Sequence, residues 1–196
     1  MKRLLKNVAE PNLFREVFSY DKIPAFKLDG KAVEPRLPKE FWITDTTFRD
    51  GQQARPPYTV SEIVELFRFM HRIGGKRGVI RQSEFFLYSE QDRKAVEACR
   101  ELGYEFPQIT AWIRAAKKDF ELVRKMGLEE TGILTSCSDY HIFLKLRKTR
   151  RQALDSYKEI VEAALENGIR PRCHLEDATR ADFEGFVIPM INELNE

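Results

Sequence analysis

Residues 41–53 read FWITDTTFRDGQQ: the apolar run Phe41-Trp42-Ile43 leads straight into Asp45, Arg49, Asp50, Gln52 and Gln53. A β-prone run that ends in a polar cluster has the profile of a buried strand presenting chemistry at its carboxyl end. The fold depends on whether that pattern recurs, and it does. Strands are expected at 41–47, 78–86, 106–113, 130–136 and 169–175, alternating with helices at 60–73, 90–102, 116–126, 149–167 and from about 180. Five βα repeats predict a parallel sheet with helices packed outside it.

Helix signals support the alternation. Thr59 or Ser61 can cap a run whose Ile63, Val64, Phe67 and Met70 recur at helical spacing, and Gly74-Gly75 closes it. Leu154, Tyr157, Ile160, Val161, Ala164 and Leu165 form a second apolar face, closed by Asn167-Gly168. The G-x-G-x-x-G that a dinucleotide-binding sheet wants after an early strand is missing. Successive strands start roughly 30 residues apart, the unit length of a ~250-residue barrel. The expectation is therefore an α/β fold, an incomplete (β/α)8 TIM barrel with about five βα units. Residues 1–40, with Pro11, Pro24, Pro35, Pro38 and the turn signal Asp29-Gly30, read as an N-terminal extension of short helix, turn and extended stretches. Residues 41–196 form the first part of the barrel domain.

Composition narrows the function classes. The 196 residues carry 33 Lys+Arg against 31 Asp+Glu, a formal balance of +2 that gives no commitment to nucleic acid or membrane. No apolar run approaches the ~20 residues of a membrane span, and the N-terminus lacks the h-region of a signal peptide. A cytoplasmic protein acting on small molecules is expected. Cys99, Cys137 and Cys173 are odd in number and contain no C-x-x-C pair, so they read as packed thiols. His71 lies in an amphipathic helix and reads as structural.

In a parallel barrel, functional residues gather at the carboxyl ends of the strands. There the chain places 45–53, Glu84, 110–114, 135–141 and 174–180. Asp50 is a hard oxygen donor suited to Mg²⁺, Mn²⁺ or Zn²⁺, and Arg49 can hold a developing oxyanion, although the pair could equally be a salt bridge that pins a loop. Glu176 and Asp177 are adjacent and point to opposite faces of a strand, so Glu176 is expected to move protons and Asp177 to cap the helix at 180. His174, two residues earlier, faces the same side as Glu176. Gln53, Glu84, Ser138, His141, His174 and Arg180 are expected substrate contacts, with His141 alternatively touching only a neighbouring loop.

The stretch ITDTTFRDGQQ resembles the D-T-T-L-R-D-G-E/N-Q signature of the acyl-CoA condensing enzymes and lyases that include 2-isopropylmalate, homocitrate and citramalate synthases and 3-hydroxy-3-methylglutaryl-CoA lyase. TSCSDYHIFLKLRKTRRQAL and HLEDATRAD resemble that family's segments after strands four and five. The resemblance implies a metal-dependent Claisen condensation of acetyl-CoA with a 2-oxo acid, with Asp50 as metal ligand, Arg49 as enolate or carbonyl stabiliser, Glu176 as acid or base, and a homodimeric assembly. A carbon–carbon lyase, a carboxyltransferase and a non-catalytic relative are the alternatives. Several positions depart from the family: Gln52 replaces an acidic residue, strand two reads Ile80-Arg81-Gln82-Ser83-Glu84-Phe85-Phe86 in place of I-E-A/V-G-F-P, and Gly132 stands where many synthases have histidine. The family's H-x-H pair has no counterpart here, which implies a divalent site incomplete within this chain, further ligands beyond Glu196 and an inactive fragment if these residues stand alone.

Overall fold

A computed structural model of the protein describes residues 26–28, 30–33, 36 and 38–195, and the chain divides after Phe41 into two units. In the first, β1 (Phe26–Leu28) and β2 (Lys31–Val33) pair antiparallel across a two-residue turn. Its second residue, Gly30, sits at φ +76°, a conformation glycine adopts without the penalty of a Cβ. The helix and turns expected over 1–25, together with Asp29 and Pro35, lie outside the described residues.

The second unit holds β3 (Ile43–Asp45), α1 (Val60–Gly74), β4 (Ile80–Phe85), α2 (Glu90–Arg100) and β5 (Gln108–Ile113). It continues with α3 (Phe120–Lys125), β6 (Glu130–Ser136), α4 (Arg150–Glu166), β7 (Arg170–Glu176) and α5 (Ile188–Asn195). The sheet order is β3-β4-β5-β6-β7 with every pairing parallel, so sequential strands are spatial neighbours and the five units form a half-barrel.

Alternation along the strands divides the side chains between two faces. Phe85, Ala111, Ile113 and Ile133 point outward into a core completed by Ile63, Phe67 and Met70 of α1, Ala95, Val96 and Cys99 of α2, and Ile160 and Ala164 of α4. Residues of the opposite parity, Glu84, Thr110, Trp112, Gly132, Arg172 and His174, line the inner face. Thr59 caps α1 in a reciprocal box with Glu62, and Thr149 caps α4 with Gln152 in the same way. His71 is structural as expected: its ring stacks on Tyr104 at 3.8 Å and Nδ1 lies 2.7 Å from the Phe106 carbonyl oxygen.

Three expectations need correction. The run at 41–43 is not a buried strand: Phe41, Trp42 and Ile43 are 62%, 63% and 50% exposed, and β3 begins only at Ile43. Among the described residues this edge strand pairs with β4 alone, and its register with β4 shifts between Ile43 and Thr44. The third helix is shorter than 116–126, with a 3-10 turn at Lys117–Asp119 before α3. Asp177 does not cap a helix at 180. It takes the left-handed conformation, φ +64°, and is followed by a 3-10 turn (Ala178–Arg180) and a π-helical turn (Phe183–Val187) that Asp182 caps by accepting the Gly185 N–H.

Candidate active site

The loop after β3 is built to turn Arg49 inward. Asp45 accepts the Thr47 N–H and hydroxyl and the Ser83 hydroxyl, at 3.1, 2.7 and 3.0 Å. The Thr46 carbonyl then gathers the N–H groups of Arg49, Asp50 and Gly51 at 2.8–3.1 Å. Phe48, 1% exposed, drops into the outer core with its ring 4.8 Å from Phe85. Adjacent residues of this tight turn go opposite ways, so Arg49 faces the inner side of the sheet. Gln52 explains its own departure from an acidic residue. Its amide donates to the Phe48 carbonyl at 2.7 Å and accepts the Tyr58 N–H at 2.9 Å, stitching the loop, a task that needs donor and acceptor together.

Inside, Arg49 meets Glu84. Nε donates to one carboxylate oxygen of Glu84 at 3.0 Å, with Nη2 in ion-pair contact with the same oxygen at 2.9 Å, while Arg172 of β7 donates to the other at 2.5 Å. His174 Nε2 lies 3.4 Å from that second oxygen. Arg172 also reaches Glu130 at 2.8 Å, Thr110 at 3.1 Å and Gln82. Glu84 is completely buried, so charge burial is tolerated only because both oxygens are saturated. Glu84, expected as a substrate contact, is held here between two arginines. Burial holds the His174 imidazole below its ordinary pKa, and Arg172 and Arg49 reinforce this against the opposing pull of Glu84. His174 is thus neutral at pH 7. The Arg49 guanidinium lies 3.9 Å from the Trp112 ring centroid, and Trp112 meets His174 edge-on at 4.6 Å.

A second cluster forms where β6 and β7 end. Glu176 accepts from Ser136 and from Lys145 Nζ, the latter at 3.0 and 3.1 Å. His141 Nδ1 lies 2.9 Å away, at an angle poor for a hydrogen bond. Burial alone would raise the Glu176 pKa, but the bonds from Ser136 and Lys145 and the nearby His141 keep it below the usual glutamate value. Asp177 accepts from Arg180 Nε at 2.8 and 3.0 Å and from Nη2 at 2.7 Å, and from Ser138 at 2.5 Å, which together lower its pKa to about 2. Ser138 and Arg180 are thereby engaged with Asp177. Cys137 is buried, and desolvation aided by Asp177 and Glu176 pushes its thiol up to about 11, so it is no nucleophile.

The structure thus brings Arg49, Glu84 and His174 together in one cluster and Ser138, His141, Glu176 and Arg180 in the other. Gln53 stays exposed on the loop. Asp50, 57% exposed at the mouth, has Arg49 Nη1 at 3.3 Å. Among the described residues no three His, Cys, Asp or Glu side chains converge to hold a metal ion, so Asp50 is a single carboxylate and a divalent site does not close within them. No helix of the described residues is long and apolar enough to cross a membrane.

Sequence reasoning missed Arg172, Trp112 and Lys145 as members of the site. The period-two alternation of β7 would have found Arg172, which shares parity with His174 and Glu176. Trp112 shares parity with Thr110, whereas the only signal for Lys145 is its place in YHIFLKL, a π-helical turn (Tyr140–Lys145) that no periodicity announced.

A family model described as HMGL-like matches residues 40–195. Among curated proteins, the citrate (Re)-synthase of Clostridium kluyveri is 55% identical over 190 residues, covering 97% of this chain and 42% of that protein. The citrate (Re)-synthase of Syntrophus aciditrophicus is 58% identical over 190 residues, covering 97% of this chain and 30% of the relative. The chain therefore spans less than half the length of these relatives. A solved hydroxymethylglutaryl-CoA lyase from Pseudomonas aeruginosa superposes with a TM-score of 0.57 at 19% identity, over 81% of this chain and 56% of that one, a likeness of fold.

Proposed function

We infer the activity from one premise: the chain belongs to the HMGL-like family. It carries part of an enzyme that condenses acetyl-CoA with a 2-oxo acid, and the acceptor is oxaloacetate, giving citrate. The observation that carries the choice of acceptor is 55–58% identity to two citrate (Re)-synthases over 97% of this chain. The polar inner face supports it, because the interior of a barrel is ordinarily filled by branched apolar side chains and here holds arginines.

In the condensation the acetyl methyl loses a proton, its carbon bonds to the C2 carbonyl carbon of oxaloacetate, and the carbonyl oxygen becomes an alkoxide that takes up a proton. Water then cleaves the thioester, releasing citrate and free CoA. Arg49 suits the developing oxyanion, since Glu84 fixes one edge of the guanidinium and leaves the Nη1 end beside the mouth. Glu176 is held ionised by Ser136 and Lys145 and is therefore a proton acceptor at neutral pH. Asp50 is the residue we assign to a divalent cation in the whole protein. The described residues do not fit such an ion by themselves, and the roles of Arg49 and Glu176 do not depend on it. A homodimer remains the expected assembly.

The test is free thiol release from acetyl-CoA by the full-length protein across a panel of 2-oxo acids. Release with oxaloacetate, and citrate among the products, is the expected result. No response to any 2-oxo acid would sink the proposal, and release only with a branched acceptor would move the assignment to a 2-isopropylmalate-type synthase.

A further inference from the structure

We propose that Trp112 is a positioning residue that fixes the plane of the Arg49 guanidinium, and that Gly132 is required opposite it because any side chain there would evict the indole. The inference rests on the condensation reading only for its kinetic consequence.

Three observations converge. On β5 the parity that buries Ala111 and Ile113 in the outer core turns Trp112 to the inner face, where it is 8% exposed. Its Cα partner across the parallel pairing with β6 is Gly132, and a Cβ built on Gly132 would stand 2.4 Å from Trp112 Cε3 and 2.8 Å from Cζ3. Gly132 does not have positive φ, so its need for glycine is one of space. The indole seated in that space then presents its π-face to Arg49 at 3.9 Å, while His174 meets the ring at 4.6 Å and limits its tilt.

Besides the ion pair of its Nη1 with Asp50 at 3.3 Å, which is solvent-exposed and sets no plane, Arg49 is held in two ways. Glu84 binds Nε and Nη2 and fixes one edge, about which the guanidinium could still swing. The indole covers one face and removes that freedom. Only with both does the Nη1 end keep one direction. A guanidinium over an indole is favoured by the ring quadrupole, and the contact strengthens where water is excluded. An oxyanion donor acts through being aimed before charge develops, so loss of the plane should lower kcat more than it raises KM.

The experiment uses four variants of the full-length protein: Trp112→Phe, Trp112→Leu, Gly132→Ala and the pair Gly132→Ala with Trp112→Leu. Trp112→Leu and Gly132→Ala are each expected to lower kcat for oxaloacetate-dependent thiol release about 10-fold, the scale of a desolvated cation–π contact, with KM little changed. Trp112→Phe keeps a π-face and should retain most of the rate. The double variant should be no slower than Trp112→Leu alone, because the added methyl no longer meets an indole. Hydrogen exchange at the Arg49 Nε–H, read by NMR with arginine labelled selectively, should accelerate in Trp112→Leu and Gly132→Ala and stay near native in Trp112→Phe.

Equal rates in Trp112→Leu and the unsubstituted protein, additive losses in the double variant, or unchanged Arg49 exchange would each overturn the inference. If the unsubstituted protein releases no thiol with any 2-oxo acid, the condensation reading fails, while Arg49 exchange still decides whether Trp112 and Gly132 hold it.

Discussion

Glu84 and Glu176 project from the same inner face of one sheet, yet their surroundings assign them opposite tasks. Glu84 is completely buried, with one oxygen taken by Arg49 and the other by Arg172. Glu176 is 22% exposed, leans on Ser136 and Lys145, and keeps a side open beside His141. The contrast separates a charge that builds the site from one that can work in it. A fully buried carboxylate shared by two guanidinium groups cannot turn to a substrate without giving up one of those bonds.

The contrast breaks most directly through stability. Glu84→Ala should lower the free energy of unfolding by about 3–5 kcal/mol, because it removes the buried carboxylate that Arg49 and Arg172 share and leaves them only the more exposed Asp50 and Glu130. Glu176→Ala should cost about 1 kcal/mol or less, the scale of a partly solvated pair. Urea titrations of the two variants decide it, and equal losses would erase the distinction. Next in size is a catalytic effect: Arg49→Gln in the full-length protein should lower kcat by about 10²–10³, as loss of an oxyanion donor does, while Glu84 keeps Arg172 as partner. A rate within a few-fold of the unsubstituted protein would make Arg49 a loop anchor only.

Smaller effects sharpen the Glu176 side. Its pKa is lowered on folding, so its ionised form contributes stability that is complete above the unfolded value and lost as pH falls through the folded one. Lys145→Met removes one of the groups that hold the value down, so the Glu176 carboxyl, followed by its ¹³C shift, should titrate at higher pH and the acid loss of stability should shrink. The sign is the same for Asp177, whose pKa of about 2 owes most to Arg180 and then to Ser138. Arg180→Gln should raise it, and the change in acid unfolding should be the smallest of the set because the pair is solvated.

Metal titration is a different kind of test. Calorimetry of residues 1–196 with Mn²⁺ or Mg²⁺ should show no tight stoichiometric site, since no three ligating side chains converge among the described residues. A tight one-to-one isotherm would mean that these residues close a site by themselves.

Much of the architecture was legible because strand alternation and capping are local signals. Thr59 and Gly168 read correctly from their neighbours alone, and the five strands fell within a few residues of their expected places. The run 41–43 misled because hydrophobicity reports what a strand could bury, whereas burial depends on which strands flank it. Asp177 misled for a similar reason. An aspartate before a helical pattern resembles a cap, but Arg180 three residues on offers a fork that outcompetes backbone N–H groups. Lys145 was out of reach because a π-helical turn leaves no periodic trace, and Trp112 was placed only within the 110–114 strand end because its contact with Arg49 depends on what Gly132 leaves vacant across the sheet.

The five strands are not equally fastened to one another. β6 and β7 match over seven residue pairs, from Glu130↔Arg170 to Ser136↔Glu176, whereas β3 matches β4 at three, with a shift after the first. Amide protons should therefore exchange slowest along 130–136 and 170–176 and fastest at 43–45, through openings that cost less than unfolding the whole sheet. Arg49 hangs from the strand that frays first and Glu176 from the strand that frays last. A partial opening at the β3 edge can then draw Arg49 off Glu84 while the cluster around Glu176 stays assembled.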